Sequence, residues 1–168
     1  LIEEYKAELL PTTPTFLNLL LIDGALDCYD LSSLKVISYG TEPMPKHTLT
    51  RIRSALPSVR LLQTYGLIEV GVLHTKSKND DSIWFSIDDP SYKIRIRNGL
   101  LEIKTKSTML GYLNHNSPTT SDGWFMTGDQ VIQKDSYIQI LGRQSEIINV
   151  AGEKVYPAEV EDFILSLE

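Results

Sequence analysis

Between Leu34 and Thr64 the chain reads strand, helix, strand, and that order constrains the fold more than any other feature of the sequence. Leu34-Lys-Val-Ile-Ser-Tyr39 is a short strand run closed by Gly40. Pro45 to Leu56 carries Leu49, Ile52 and Leu56 on one face of a 3.6-residue period, and Val59-Arg-Leu-Leu-Gln-Thr64 is a second strand run followed by Gly66. A crossover helix makes the two flanking strands parallel, so their C-terminal ends share one sheet edge. In open α/β sheets that edge is where ligands bind. Upstream, Thr13-Pro14 pairs a capping hydroxyl with proline at the first helical position, and Phe16, Leu19 and Leu20 are the expected buried stripe of that helix.

From about residue 76 the period changes to two. Tyr92, Ile94 and Ile96 alternate with Lys93, Arg95 and Arg97, then Asn98-Gly99 supplies a strong hairpin signal before Leu100 to Lys104. Asp122-Gly123 introduces Trp124-Phe-Met-Thr127, and Lys134-Asp135 separates Val131-Ile132 from Tyr137 to Leu141. The expected fold is therefore α/β plus β. A parallel βαβ subdomain over residues 1–75 precedes a small antiparallel, barrel-like subdomain over 76–143, and Gly142 to Asn149 reads as a hinge. At the C-terminal end, Val160, Phe163, Ile164 and Leu167 fall at i, i+3, i+4 and i+7 of an amphipathic helix that runs to Glu168. Such a stripe needs something to pack on, which suggests a sequence cut inside a domain.

Charge and cysteine content narrow the function classes. Sixteen Lys and Arg against 22 Asp and Glu leave a net charge of −6 with no basic stripe, which argues against nucleic acid as a partner. The longest apolar run, Leu19 to Ile22, is too short to span a bilayer. Cys28 stands alone, so no intramolecular disulfide forms, and a reducing, cytoplasmic location is expected. His47, His74 and His115 are scattered, without metal-ligand spacing.

Four clusters interrupt the scaffold where turns are expected: Ser38 to Glu42, Gln63 to Glu69, Trp124 to Asp129, and Gly142 to Asn149. Singly, each has a plain account: a strand end, a solvated carboxylate, a turn former, a surface charge. Together they supply what a nucleotide needs. Tyr65 offers an aromatic face, Asp129 can accept both ribose hydroxyls, Arg143 can donate to ribose or phosphate, and Glu69 can hold Mg²⁺ through oxygen.

In their order these segments resemble the adenylate-forming superfamily, which includes acyl- and aryl-CoA synthetases, luciferases and nonribosomal adenylation domains. Gly40-Thr41-Glu42-Pro43 is similar to its G-G-E-P segment, Tyr65-Gly66-Leu67-Ile68-Glu69 to Y-G-x-T-E, and Met109 to Leu113 to x-x-G-Y-L. Trp124 to Asp129 resembles W-x-x-T-G-D, and Gly142-Arg143 followed by Gly152 to Glu161 resembles the hinge and the start of the C-terminal lid. The resemblance covers essentially the whole chain. It implies an enzyme that activates a carboxylic acid with ATP and passes the acyl group to CoA or to carrier-protein phosphopantetheine.

Carried over position by position, the resemblance assigns Gly40, Thr41 and Glu42 to the adenine site, with Thr64, Tyr65 and Gly66 beside them. Tyr65 stacks on the ring, Asp129 holds the ribose, Arg143 lies between ribose and hinge, and Glu69 is the Mg²⁺ ligand. Ser38, Tyr39, Val70 and Gly71 are candidates for the acyl pocket, and Ser145 stands at the hinge of a lid that begins at 144–168. Gly152 lies either on the thiol path or in a simple hairpin turn.

Two residues depart from the family pattern. Ile68 replaces a usual Thr or Ser, and Ser145 a usual Asp or Lys. The family's phosphate loop does not occur in this sequence, and its adenylation lysine belongs later in the lid, beyond Glu168. No catalytic residue is therefore expected within these residues, which alone should be inactive and self-associate. The alternative is a non-catalytic nucleotide-binding or interaction module in which the C-terminal stripe docks on a partner. A structural domain without a ligand ranks third.

Overall fold

The computed structural model describes residues 1–79 and 82–167. Glu168, the expected last residue of the C-terminal helix and of the lid segment, lies outside the described residues, and so does the expectation of a lysine beyond it. The first part of the structure is a three-stranded parallel sheet wrapped by helices. Helix α1 (Ile2–Tyr5) leads into β1 (Leu9–Thr12), followed by α2 (Pro14–Ile22), α3 (Ala25–Cys28), β2 (Val36–Tyr39), α4 (Lys46–Ala55) and β3 (Arg60–Gln63). The sheet order is β1-β2-β3, with Leu9 opposite Val36 and Val36 opposite Arg60. The crossover α4 joins the two strands that the sequence pairs. The third strand, β1, has no clear sequence signal, because Leu9-Leu-Pro-Thr12 is short and holds a proline. An edge position tolerates that proline.

Leu17, Leu34, Ile37, Tyr39, Met44, Leu49, Ile52, Val59 and Leu61 form the buried core of this part. Here one expectation needs correcting. In α2 the buried side chain is Leu17, 1% exposed, while Phe16 and Leu19 are 45% and 54% exposed. Seven of the nine residues of Pro14–Ile22 are apolar, so the helix has no distinct oily face, and packing against α4 and α3 picks the one that is covered. The helix start agrees with the sequence: Thr13 Oγ1 accepts the Phe16 N–H at 3.2 Å.

The second part is antiparallel. A short hairpin, β4 (Tyr65–Leu67) with β5 (Gly71–Leu73), precedes β6 (Thr75–Ser77), β7 (Phe85–Ile87), β8 (Tyr92–Arg97), β9 (Leu100–Thr105), β10 (Phe125–Lys134) and β11 (Tyr137–Arg143). The last six make one curled sheet in the order β6-β7-β11-β10-β9-β8. Asn98 and Gly99 both have positive φ, +53° and +78°, so the β8–β9 turn takes the form its sequence suggests. Phe85, Leu101, Ile103, Phe125, Val131 and Ile138 fill the core beneath, with Tyr65, Val70 and Leu73 from the hairpin.

After Arg143 come a 3₁₀ turn (Gln144–Glu146), the hairpin β12 (Ile148–Val150) and β13 (Glu153–Val155), and α5 (Pro157–Leu165). Ala151 and Gly152 at its tip have φ of +51° and +93°, the signature of a tight two-residue hairpin turn. The expected stripe on α5 is present and uncovered: Val160, Phe163, Ile164 and Leu167 are 43–71% exposed. Among the described residues, no helix is long and apolar enough to cross a membrane.

Candidate functional site

A cleft of about 540 Å³ opens at the C-terminal edge of the parallel sheet. The loop after β2 contributes Thr41 and Glu42, the end of β3 contributes Gln63, Thr64 and Tyr65, and the antiparallel sheet contributes Asp129 and Arg143. Ala158, Glu159 and Asp162 of α5 close the far side. The volume lies within the range of small-molecule sites.

Asp129 is the centre of the site because β10 is irregular there. Its register with β9 breaks between Met126 and Gln130, and Gly128 has a φ of +77°. Such a bulge re-aims a side chain that a regular strand would direct elsewhere. Thr127 fixes the bulge: its Oγ1 donates to the Leu101 carbonyl at 2.8 Å and accepts the Asp129 N–H at 3.0 Å. The carboxylate, 5% exposed, is then engaged on both oxygens. The Tyr65 hydroxyl donates to Oδ2, and Arg143 Nε donates to Oδ1 at 2.9 Å. Arg143 faces Asp129 across the β10–β11 ladder, and its Nη1 also donates to the Thr127 carbonyl at 3.3 Å.

Burial pushes the Asp129 carboxyl above the ordinary aspartate value, against the pull of Tyr65 and Arg143. Burial and the neighbouring Asp129 charge also raise the Tyr65 phenol, which stays a neutral donor throughout the working pH range. Its ring packs on Phe85 with centroids 6.0 Å apart.

The loop after β2 is held just as firmly. A Cβ on Gly40 would lie 2.5 Å from Thr64 Oγ1 and 2.8 Å from the Thr64 carbonyl oxygen, so only glycine lets the two strand ends converge. Thr64 donates to the Tyr39 carbonyl from both its N–H at 2.7 Å and its hydroxyl at 3.0 Å. Thr41 has a φ of +72°, a strained conformation for a β-branched residue, and it lines the cleft. Glu42 accepts the Thr15 N–H at 2.8 Å, which adds a second cap to α2.

The structure thus brings Thr41, Glu42, Thr64, Tyr65, Asp129, Arg143 and Ser145 onto one cleft, with Gly40 backing its wall. Gly66 serves the β4–β5 hairpin, where a Cβ would lie 2.7 Å from Val72 Cα. Other sequence candidates lie elsewhere. Tyr39 and Val70 are buried in the two separate cores, Ser38 is half-buried in β2, and Gly71 is exposed in β5. Glu69 lies on the β4–β5 turn, where its carboxylate accepts the Tyr112 hydroxyl and its carbonyl accepts the Met109 N–H at 2.7 Å. Gly152 occupies the β12–β13 turn, away from the cleft lining. Among the described residues, no group of three or more His, Cys, Asp or Glu is gathered to hold a metal.

Three residues have no assigned role in the sequence reading, although Thr127 and Gln63 lie within segments it singles out. Thr127 carries a usable signal, a threonine two positions before an aspartate at a turn. Gln63 lines the cleft and keeps Oε1 buried without a hydrogen-bond partner among the described residues. Asp162 lines the cleft from α5 with no local signal at all.

The family model described as AMP-binding enzyme matches residues 1–113, more than half of the chain. A 4-coumarate-CoA ligase 1 from Narcissus pseudonarcissus is 30% identical over 190 residues, covering 99% of this chain and 35% of that protein. The chain spans about a third of the length of the curated relatives it matches. Among solved structures, the anthranilate CoA ligase AuaEII in complex with anthranoyl-AMP superposes with a TM-score of 0.81 at 20% identity, over 96% of this chain and 34% of that one. McyG A-PCP complexed with phenylalanyl-adenylate gives a TM-score of 0.81 at 21% identity, over 99% and 36%. These two likenesses concern the fold. With the ordered segments gathered around one cleft and the family match running through Glu42, Tyr65 and Tyr112, the chain belongs to the AMP-binding enzyme family.

Proposed function

We propose that this chain forms the adenosine-binding part of an AMP-forming ligase. The ligase activates a carboxylic acid with ATP as an acyl-adenylate and passes the acyl group to the thiol of CoA or of carrier-bound phosphopantetheine. The observation that carries this reading is the Tyr65–Asp129–Arg143 chain of hydrogen bonds at the C-terminal sheet edge. An ionised carboxylate has about four acceptor positions, so one engaged by two donors can still accept a pair of ribose hydroxyls. Thr41, Glu42 and Thr64 border the base, with Gly40 behind them, and Arg143 lies between ribose and lid.

Ser38, Tyr39, Val70 and Gly71 are assigned to the acyl pocket on the family resemblance alone, Tyr39 and Val70 being buried in two separate cores. Ser145, exposed in the 3₁₀ turn just past the last ladder pair, is the hinge. Gly152 is placed on the thiol path. We retain the division at 1–75, 76–143 and 144–168 as two subdomains and the start of a lid, with the adenylation lysine supplied from beyond Glu168. Glu69 would hold Mg²⁺: one carboxylate steadied by a tyrosine hydroxyl suits an ion that takes most of its ligands from phosphate and water. When bound, the ion would offset phosphate charge. The likeness to a 4-coumarate-CoA ligase favours CoA as the acceptor. The single exposed Cys28 suits a reducing compartment such as the cytoplasm.

Calorimetric titration with AMP and with a non-hydrolysable acyl-adenylate analogue tests the reading. Both should bind, the analogue more tightly, and Asp129→Asn should weaken both by roughly tenfold or more, as expected for a lost charged acceptor. The 168 residues alone should give no acid-dependent ATP–pyrophosphate exchange. Absence of binding by either ligand at millimolar concentration would overturn the assignment and favour the interaction module, whose support is the exposed stripe on α5.

A further inference from the structure

The two longer helices of the parallel part each take a cap from a distant residue. The N-cap residue of α4, Pro45, has no side-chain acceptor, and Asp162 Oδ1 of α5 accepts the His47 N–H at 2.9 Å. At the start of α2, Pro14 has no N–H to satisfy and Thr13 serves the Phe16 N–H. The Thr15 N–H between them is taken by Glu42, whose Oε1 accepts it at 2.8 Å. This second cap bears on the wall of the cleft, because Glu42 directly follows Thr41.

Thr41 holds a φ of +72°. A β-branched residue rarely enters that region, so its surroundings must keep it there. The loop is fixed on both sides of it. Behind Thr41, Gly40 abuts Thr64, where a Cβ would lie 2.5 Å from Oγ1. Ahead of it, Glu42 is tied to α2. That helix is a firm anchor: it packs on α3 and α4, and its Leu17 is 1% exposed. The contact at Gly40 limits how closely the two strand ends approach, whereas the Glu42 bond fixes the loop to the helix. A single residue between two such points cannot relax its backbone unless one of them moves.

We infer that Glu42 is a positioning residue: its bond to the Thr15 N–H braces Thr41 in the left-handed conformation and so sets the cleft wall on which a nucleotide base lies. Glu42 thus acts through Thr41 rather than by touching the base. The two roles differ in what glycine at position 41 would do. Glycine adopts positive φ freely and needs no brace, so the cost of losing Glu42 shrinks beside it. A direct contact from Glu42 to the base would be lost equally in either background. The effect on a nucleotide rests on the reading above; the brace itself does not.

Nuclear magnetic resonance of the ligand-free chain tests the brace. Positive φ brings a residue's own amide and α protons together, so their cross-peak is strong. It should be strong at Thr41 in the wild type, weaken in Glu42→Ala, and persist in Glu42→Gln, which keeps an acceptor oxygen. The amides of the buried Leu49 and Ile52 report that each variant is folded. An unchanged Thr41 cross-peak in Glu42→Ala would overturn the brace, as would equal weakening in both variants. Calorimetry with AMP then tests the wall. Glu42→Ala should weaken binding roughly fivefold, the size expected for a lost helix cap. Made beside Thr41→Gly, the same substitution should cost less than about twofold. Equal losses in the two backgrounds would overturn the positioning role and make Glu42 a direct contact. Unchanged affinity with a weakened cross-peak would overturn the effect on the wall and leave the brace standing. Failure of the wild-type chain to bind AMP overturns the nucleotide reading, and the cross-peak still decides the brace.

Discussion

At the scale of single residues, Asp129 sets a pH dependence whose sign differs for folding and for binding. Its pKa is raised by burial, so the folded state holds the proton more tightly than the unfolded chain. Through this group alone, stability rises as pH falls through the raised pKa, is fully present below the ordinary aspartate value, and is lost again as pH climbs. Ligand binding runs the other way, because a protonated carboxyl loses charge and acceptor capacity. AMP affinity should therefore fall on acidification, beginning above the pH at which a surface aspartate titrates, and Asp129→Asn should flatten the profile. Calorimetry across the acidic range checks both halves. An affinity that ignores pH in the wild type would separate Asp129 from the ligand.

At the scale of elements, the two tight hairpins make a controlled pair. The β8–β9 turn uses Asn98-Gly99, residues suited to positive φ, whereas β12–β13 places Ala151 at +51°. Alanine in the left-handed region costs about 1–2 kcal/mol relative to residues that visit it easily. Replacing Ala151 with Asn should stabilise that hairpin, and slower amide exchange between Ile148 and Val155 would record it. These turns also explain what a reader of the sequence can see. Asn98-Gly99, the βαβ run and Thr-Gly-Asp at 127–129 are local patterns with local causes, and all are legible. Three-residue strands such as β4, β5 and β6 are too short to show a period, and their pairing is decided by the cores they cover. The choice of Leu17 over Phe16 in α2 depends on neighbours, as does the burial of Tyr39 and Val70, which sequence proximity to the loops does not reveal. The Asp162–His47 contact spans 115 positions and has no sequence signature.

At the scale of the whole molecule, two cores meet along a polar seam. The Thr75 hydroxyl donates to the Gln63 carbonyl, tying β6 to β3, and α5 bridges α4 and β11 from the other side. Much apolar surface remains open. Ile68, Leu110 and Leu113 are fully exposed, and a groove of about 670 Å³ lined by Ile2, Leu10, Phe16, Leu20 and Leu26 runs beside α2. Contiguous apolar surface of this kind drives association. Sedimentation velocity should show the chain self-associating as its concentration rises, and Phe163→Ser with Ile164→Ser should weaken the effect. A monomer at every concentration, unchanged by both substitutions, would rule out adhesion through α5.

The order in which the chain is fastened also fixes how it yields to force. Tension applied at the C-terminal end is borne first by one cap, Asp162 on α4. It then reaches the single rung of Asp129 and Arg143, and only after that the β10–β11 ladder. The described residues after Arg143 are thus a peel-away tab, and the buried carboxylate is the rivet where peeling stops.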